Sequence, residues 1–92
     1  MTEDVVLEVG DLAYFDSIFN GLVPIKLMGI ERYEGQSTEY LVKTTCKWGA
    51  YPKDYYFTLH KITIIPRNMV VTRNGIRYIK SHNLTIIDLE EE

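Results

Sequence analysis

Apolar and polar side chains alternate residue by residue along most of this chain, and no long stretch repeats at the three-and-four spacing of an amphipathic helix. A period of two lines up one apolar row per extended strand, so the chain is constrained to build sheets. Residues 39–47 show the pattern well, with Tyr40, Val42, Thr44 and Cys46 on one face and Leu41, Lys43, Thr45 and Lys47 on the other. Residues 55–65 are dense in Thr, Ile and Tyr, which pack well on a pleated surface, and read as one long strand. Residues 12–15, 25–33 and 84–89 read as further strands. The strongest local signal is Asn74-Gly75 between residues 69–73 and 76–80. Both central residues tolerate the positive φ of a type I′ turn, which predicts a C-terminal hairpin. Residues 34–38 close an earlier hairpin, and Pro66-Arg67-Asn68 interrupts the alternation. Residues 16–24 have turn formers at both ends and apolar residues within; they are expected to form an ordered loop, with at most one helical turn capped by Asp16. Residues 1–8 are expected to fray, and residues 90–92 to form an acidic tail.

Ninety-two residues fit a single domain spanning 1–92, and 46% hydrophobic with 25% charged residues is a composition that folds. Five to seven short antiparallel strands in so short a chain must hide their edges, and closing the sheet on itself does so. The expected architecture is therefore mainly β, a small barrel ending in the hairpin. Val9-Gly10-Asp11-Leu12-Ala13-Tyr14 enters its first strand through Gly-Asp, a long loop follows, and strands over 25–33, 39–47 and 55–65 are joined by turns. Over about residues 9–66 this resembles the SH3-like small barrels, the group that includes KOW and Tudor-type modules. The resemblance implies a binding module for nucleic acid or protein, without enzymatic activity.

The residues themselves carry little that could catalyse. Cys46 is the only cysteine, so no internal disulfide can form and no thiolate zinc cluster is written in the chain. Cys46 shares its face with Tyr40 and Val42 and reads as a small core residue. His60 and His82 are the only histidines, and neither sits at a ligand or triad spacing; both read as structural. No phosphate loop, His-Glu-x-x-His or Gly-x-Ser-x-Gly is present. No enzyme activity and no cofactor are expected. An acidic N-terminus without an apolar run behind it, and no apolar stretch long enough for a span, point to a cytoplasmic protein that does not engage membranes.

Charge is laid out unevenly. Residues 1–42 hold eight acids against Lys26 and Arg32, a balance of −6. Residues 43–82 hold eight cations against Asp54, a balance of +7, and Asp88 with Glu90, Glu91 and Glu92 returns the total to −3. The basic middle is interleaved with rings, most densely in Lys47-Trp48-Gly49-Ala50-Tyr51-Pro52-Lys53. Cations suit phosphates and flat rings suit bases. Lys47, Trp48, Tyr51, Lys53, Arg73 and Arg77 are therefore the candidate ligand-binding residues, for nucleic acid or a small nucleotide. Against this, Glu31, Glu34 and Glu39 could stand across the sheet from Lys43, Lys47 or Lys61, and half the rings could be core. Two other uses stay open. A small acidic barrel looks like the accessory proteins phages use to bind and inhibit a host protein, including defence systems. The chain could also be a structural subunit of a homo-oligomer, joined through an edge strand such as 84–89.

Overall fold

The structure is a computed structural model in which residues 2–88 are described. Its strands are β1 (Glu3–Glu8), β2 (Leu12–Ser17), β3 (Gly21–Glu31), β4 (Glu39–Thr44), β5 (Tyr56–Leu59), β6 (Ile64–Pro66), β7 (Val70–Arg73), β8 (Ile76–Ile79) and β9 (His82–Ile87). The helical pieces among the described residues are two three-residue 3-10 turns, Lys61–Thr63 and Arg67–Met69. The chain is thus mainly β, as the alternation demands, and no described helix is long and apolar enough to cross a membrane.

Five strands form one antiparallel sheet in the order β5-β4-β3-β2-β6, while β1 pairs with β9 and β7 with β8. Among the described residues nine strands replace the expected five to seven, and the β1–β9 pair is parallel. Residues Glu3–Glu8, within the stretch expected to fray, are laddered to His82–Ile87 along their whole length. The expected last strand ends at Ile87, and Leu89 with the acidic run 90–92 lies outside the described residues.

The sheets do not close into a barrel: β5 and β6 are the two ends of the five-stranded sheet. The single strand expected over residues 55–65 is two. After Leu59 the chain coils through the turn Lys61–Thr63, and the second half re-enters the sheet as β6, beside β2 instead of β4. Leu7 of β1 and Leu84 and Ile86 of β9 join Ala13, Val23, Ile25, Leu27, Val42 and Ile64 in one core. The parallel pair therefore covers the apolar face that a barrel would have wrapped around itself.

Strand β3 is the centre of this core, with Val23, Ile25 and Leu27 all fully buried. Strict alternation would next send Gly29 inward. A bulge between Leu27 and Gly29 inserts one residue, so that Ile30 packs on the core instead. The expected loop over 16–24 is mostly strand: β2 runs to Ser17, β3 starts at Gly21, and only Ile18, Phe19 and Asn20 lie between. Ala13 pairs with Ile25 and Phe15 with Val23 on the core-facing side of the two arms, which favours the sheet over a helical turn.

Candidate functional site

The six candidate residues fall into two groups. Lys47, Trp48, Tyr51 and Lys53 lie in the connection from β4 to β5, while Arg73 and Arg77 lie on the β7–β8 hairpin. Among the described residues no hydrogen bond, ion pair, ring contact or shared pocket joins the groups.

The first group is built around Trp48. Its backbone exchanges both hydrogen bonds with Tyr51, 2.9 and 2.8 Å, closing a tight turn through Gly49 and Ala50. Its indole Nε1–H donates to the Asn20 carbonyl at 2.8 Å, tying this connection to the β2–β3 turn. Gly49 has φ +54°, and a Cβ there would run into the Asn20 side-chain amide, so glycine lets the two turns touch. Thr44, fully buried, anchors the far side: its hydroxyl donates to the Pro52 carbonyl at 2.6 Å and accepts from the Tyr55 N–H at 3.0 Å. Tyr51 turns inward and meets Phe15 edge-on at 6.1 Å and Phe57 in a stack at 5.8 Å, with Tyr55 stacked on Phe57 at 5.6 Å. Trp48 and Tyr51 are half-buried against the core. Their rings brace the fold and are not offered flat to solvent as a stacking platform requires. Lys47 and Lys53 are exposed.

What this bracing holds up is the β2–β3 turn. Ile18 is 91% and Phe19 92% exposed at its tip, and Ile62, in the turn between β5 and β6, is 87% exposed. Phe15 pairs with Ile64, so the register brings the end of β2 alongside that 3-10 turn. A depression of about 350 Å³ lies here, with Phe15, Ile18, Phe19, Tyr51 and Thr63 in its wall. Sequence reading missed this cluster by treating residues 16–24 as one loop, although Asn20-Gly21 was there to mark a hairpin.

The second group sits on a ribbon. From Thr72 through Ser81 ten consecutive residues are exposed, and only its root is packed, by buried Met69 and half-buried Val70 and Val71. Pairing of Val71 with Tyr78 and of Arg73 with Ile76 places these four on one face, and Thr72 with Arg77 on the other.

Lys26 stands opposite Lys43 and Glu31 opposite Glu39, so the supposed neutralising ladder of Glu31 and Glu39 against lysines is not formed. Lys43 meets Asp54 at 3.7 Å and Lys80 meets Glu3 at 3.3 Å. Lys47, Lys53, Arg73 and Arg77 have no carboxylate partner among the described residues. In the β3–β4 turn, the Tyr33 hydroxyl donates to Glu31 at 2.7 Å, and that bond with the carboxylate's charge raises the phenol above its ordinary range. Cys46, expected in the core, is half-buried in a separate depression of about 270 Å³, because Thr44 is the last inward residue of β4. His60 is exposed, its carbonyl accepting from the Thr63 N–H and hydroxyl; His82 Nδ1 lies 2.8 Å from the Lys80 carbonyl. No group of three His, Cys, Asp or Glu able to hold a metal occurs among the described residues.

Compared with family models, curated proteins and solved structures, the chain matches none.

Proposed function

We propose that this chain is a non-catalytic binding module whose partner is another protein, gripped through the Ile18–Phe19 turn with Ile62 at its side. The observation that carries this is exposure: two consecutive large apolar side chains at 91 and 92% on one turn, with Ile62 at 87% in the 3-10 turn that packs against β2. Turn tips are ordinarily filled by small polar residues, and an exposed Ile-Phe pair does nothing for the turn that holds it. Clustered apolar exposure marks contact surfaces, and large apolar anchors seated in a partner's pocket carry most of the energy of such interfaces. The tip is also preorganised. Ser17 Oγ accepts from the Asn20 N–H at 2.9 Å, and Trp48 holds the Asn20 carbonyl, so little freedom is lost when a partner closes over it.

An SH3-like barrel is the finer reading of the five-stranded sheet, in which β2 to β5 meander and β6 returns to β2. Such a module would present its turns at one end. An inhibitor of a host protein would act through this tip; a nucleic-acid ligand at Lys47 and Lys53 is less well served, because Trp48 and Tyr51 face inward.

The test is to place a photo-crosslinking phenylalanine analogue at Phe19 in the natural host. One dominant heterologous adduct, lost when Ile18 and Ile62 are both changed to Ser, is expected. An adduct only with a second copy would move the assignment to the homo-oligomer, and labelling no stronger than from exposed Thr58 would end it. Ile18→Ser with Phe19→Ser should leave the melting temperature unchanged, which separates lost binding from lost fold.

A further inference from the structure

We propose that the β7–β8 ribbon binds single-stranded nucleic acid, on the face that carries Arg73, Tyr78 and Lys80. This site is distinct from the apolar tip and does not depend on that assignment. The ribbon is basic throughout: between residues 67 and 82 there are Arg67, Arg73, Arg77 and Lys80 and no acid. Its tip is shaped by Asn74-Gly75, φ 53° and 76°, and its root is held by buried Met69.

One face groups the parts that a nucleotide strand needs. Arg73 lies diagonally across from Tyr78, because Arg73 pairs with Ile76. The next residue on the same face is Lys80, roughly 7 Å further along the strand. Together with Val71 and Asn74 they line a depression of about 400 Å³. Tyr78 is 50% exposed and takes part in no ring contact among the described residues, unlike Tyr51 and Tyr55, so a face of it is open to a base. Arg73 has no carboxylate partner among the described residues, and Lys80 has only the exposed Glu3, a contact that water and salt screen. Cation, ring, cation along one strand is an arrangement for phosphate, base, phosphate. A duplex keeps its base faces stacked and could use only the charges, so an unpaired strand is the better fit.

The experiment is an anisotropy titration of the full chain with labelled oligo-dT at low salt. Binding should weaken with salt at a log–log slope of about −1.4, as expected for two phosphate contacts on a single strand. Tyr78→Ala should weaken it about tenfold, while Tyr78→Phe keeps it, since stacking needs the ring and not the hydroxyl. Arg73→Ala should also weaken binding, and Glu3→Gln should strengthen it by releasing Lys80. Lys47→Ala and Lys53→Ala should change nothing. All these side chains are exposed, and all except Lys80 and Glu3 are without an ion-pair partner among the described residues, so an unchanged melting temperature certifies each variant. The proposal is overturned by an absence of binding, by duplex bound as tightly as single strand, or by indifference to Tyr78→Ala. Light scattering that shows self-association relieved by Arg73→Glu would also overturn it, by assigning the ribbon to the acidic face of a second copy.

Discussion

Asn20-Gly21 and Asn74-Gly75 are the same dipeptide, yet they turn the chain in different ways. At the ribbon, Arg73 faces Ile76 and both residues between have positive φ, the two-residue I′ pattern. At the tip, Ser17 faces Gly21 across three residues, and only Gly21, at φ 70°, is left-handed. The difference lies in what stands behind each turn. Ala13, Val23 and Ile25 are buried in one core, and their row decides the register of β2 against β3, so the turn must accommodate it. No residue from Thr72 to Ser81 is buried, and there the local preference of Asn-Gly decides alone. One turn is dictated by the core and braced by Trp48 from 28 positions away; the other dictates its own ribbon.

The comparison breaks if the two regions prove equally coupled to global stability. Leu27→Ala, in the fully buried row behind the tip, should lower unfolding free energy by about 2–5 kcal/mol in a urea titration. Ile79→Ala on the ribbon should stay within about 0.5 kcal/mol. Equal losses would mean that the ribbon is part of the cooperative core. Thr44→Val comes next. It keeps the shape but strands the Pro52 carbonyl and Tyr55 N–H, and should cost about 1–3 kcal/mol in the same titration. A neutral result would show that the β4–β5 connection is not braced through Thr44.

A change at Gly49 sharpens the contact between the two turns. Gly49→Ala should cost about 1–2 kcal/mol from its left-handed backbone alone. The collision with the Asn20 amide adds to that, so Asn20→Ala should recover part of the loss in a double-mutant cycle. Strict additivity would show that Gly49 and Asn20 do not touch in solution. Native-state hydrogen exchange gives the complementary view, with amides of β8 exchanging well before those of β3.

Much of the fold is legible in the residues. Alternation over 39–47 marks β4, and Asn74-Gly75 marks the ribbon. Other readings fail for a common reason. Residues 55–65 have strand composition throughout, and nothing local reveals that the chain must coil at Lys61–Thr63 to reach the other side of β2. Trp48 and Tyr51 lie among glycine and proline, which suggests exposure, but Asn20 and Phe15 wait in space to receive them.

Period and turn chemistry act over a few residues, so the sequence alone determines that this chain makes short strands, where several of them lie, and that its Asn74-Gly75 ribbon is basic. Which strands share a dry core depends on contacts between residues far apart, such as Leu7 with Leu84 and Ile86 above Leu27. The open five-stranded sheet, the parallel β1–β9 cover, the inward turn of Trp48 and the apolar tip it supports are therefore products of tertiary packing.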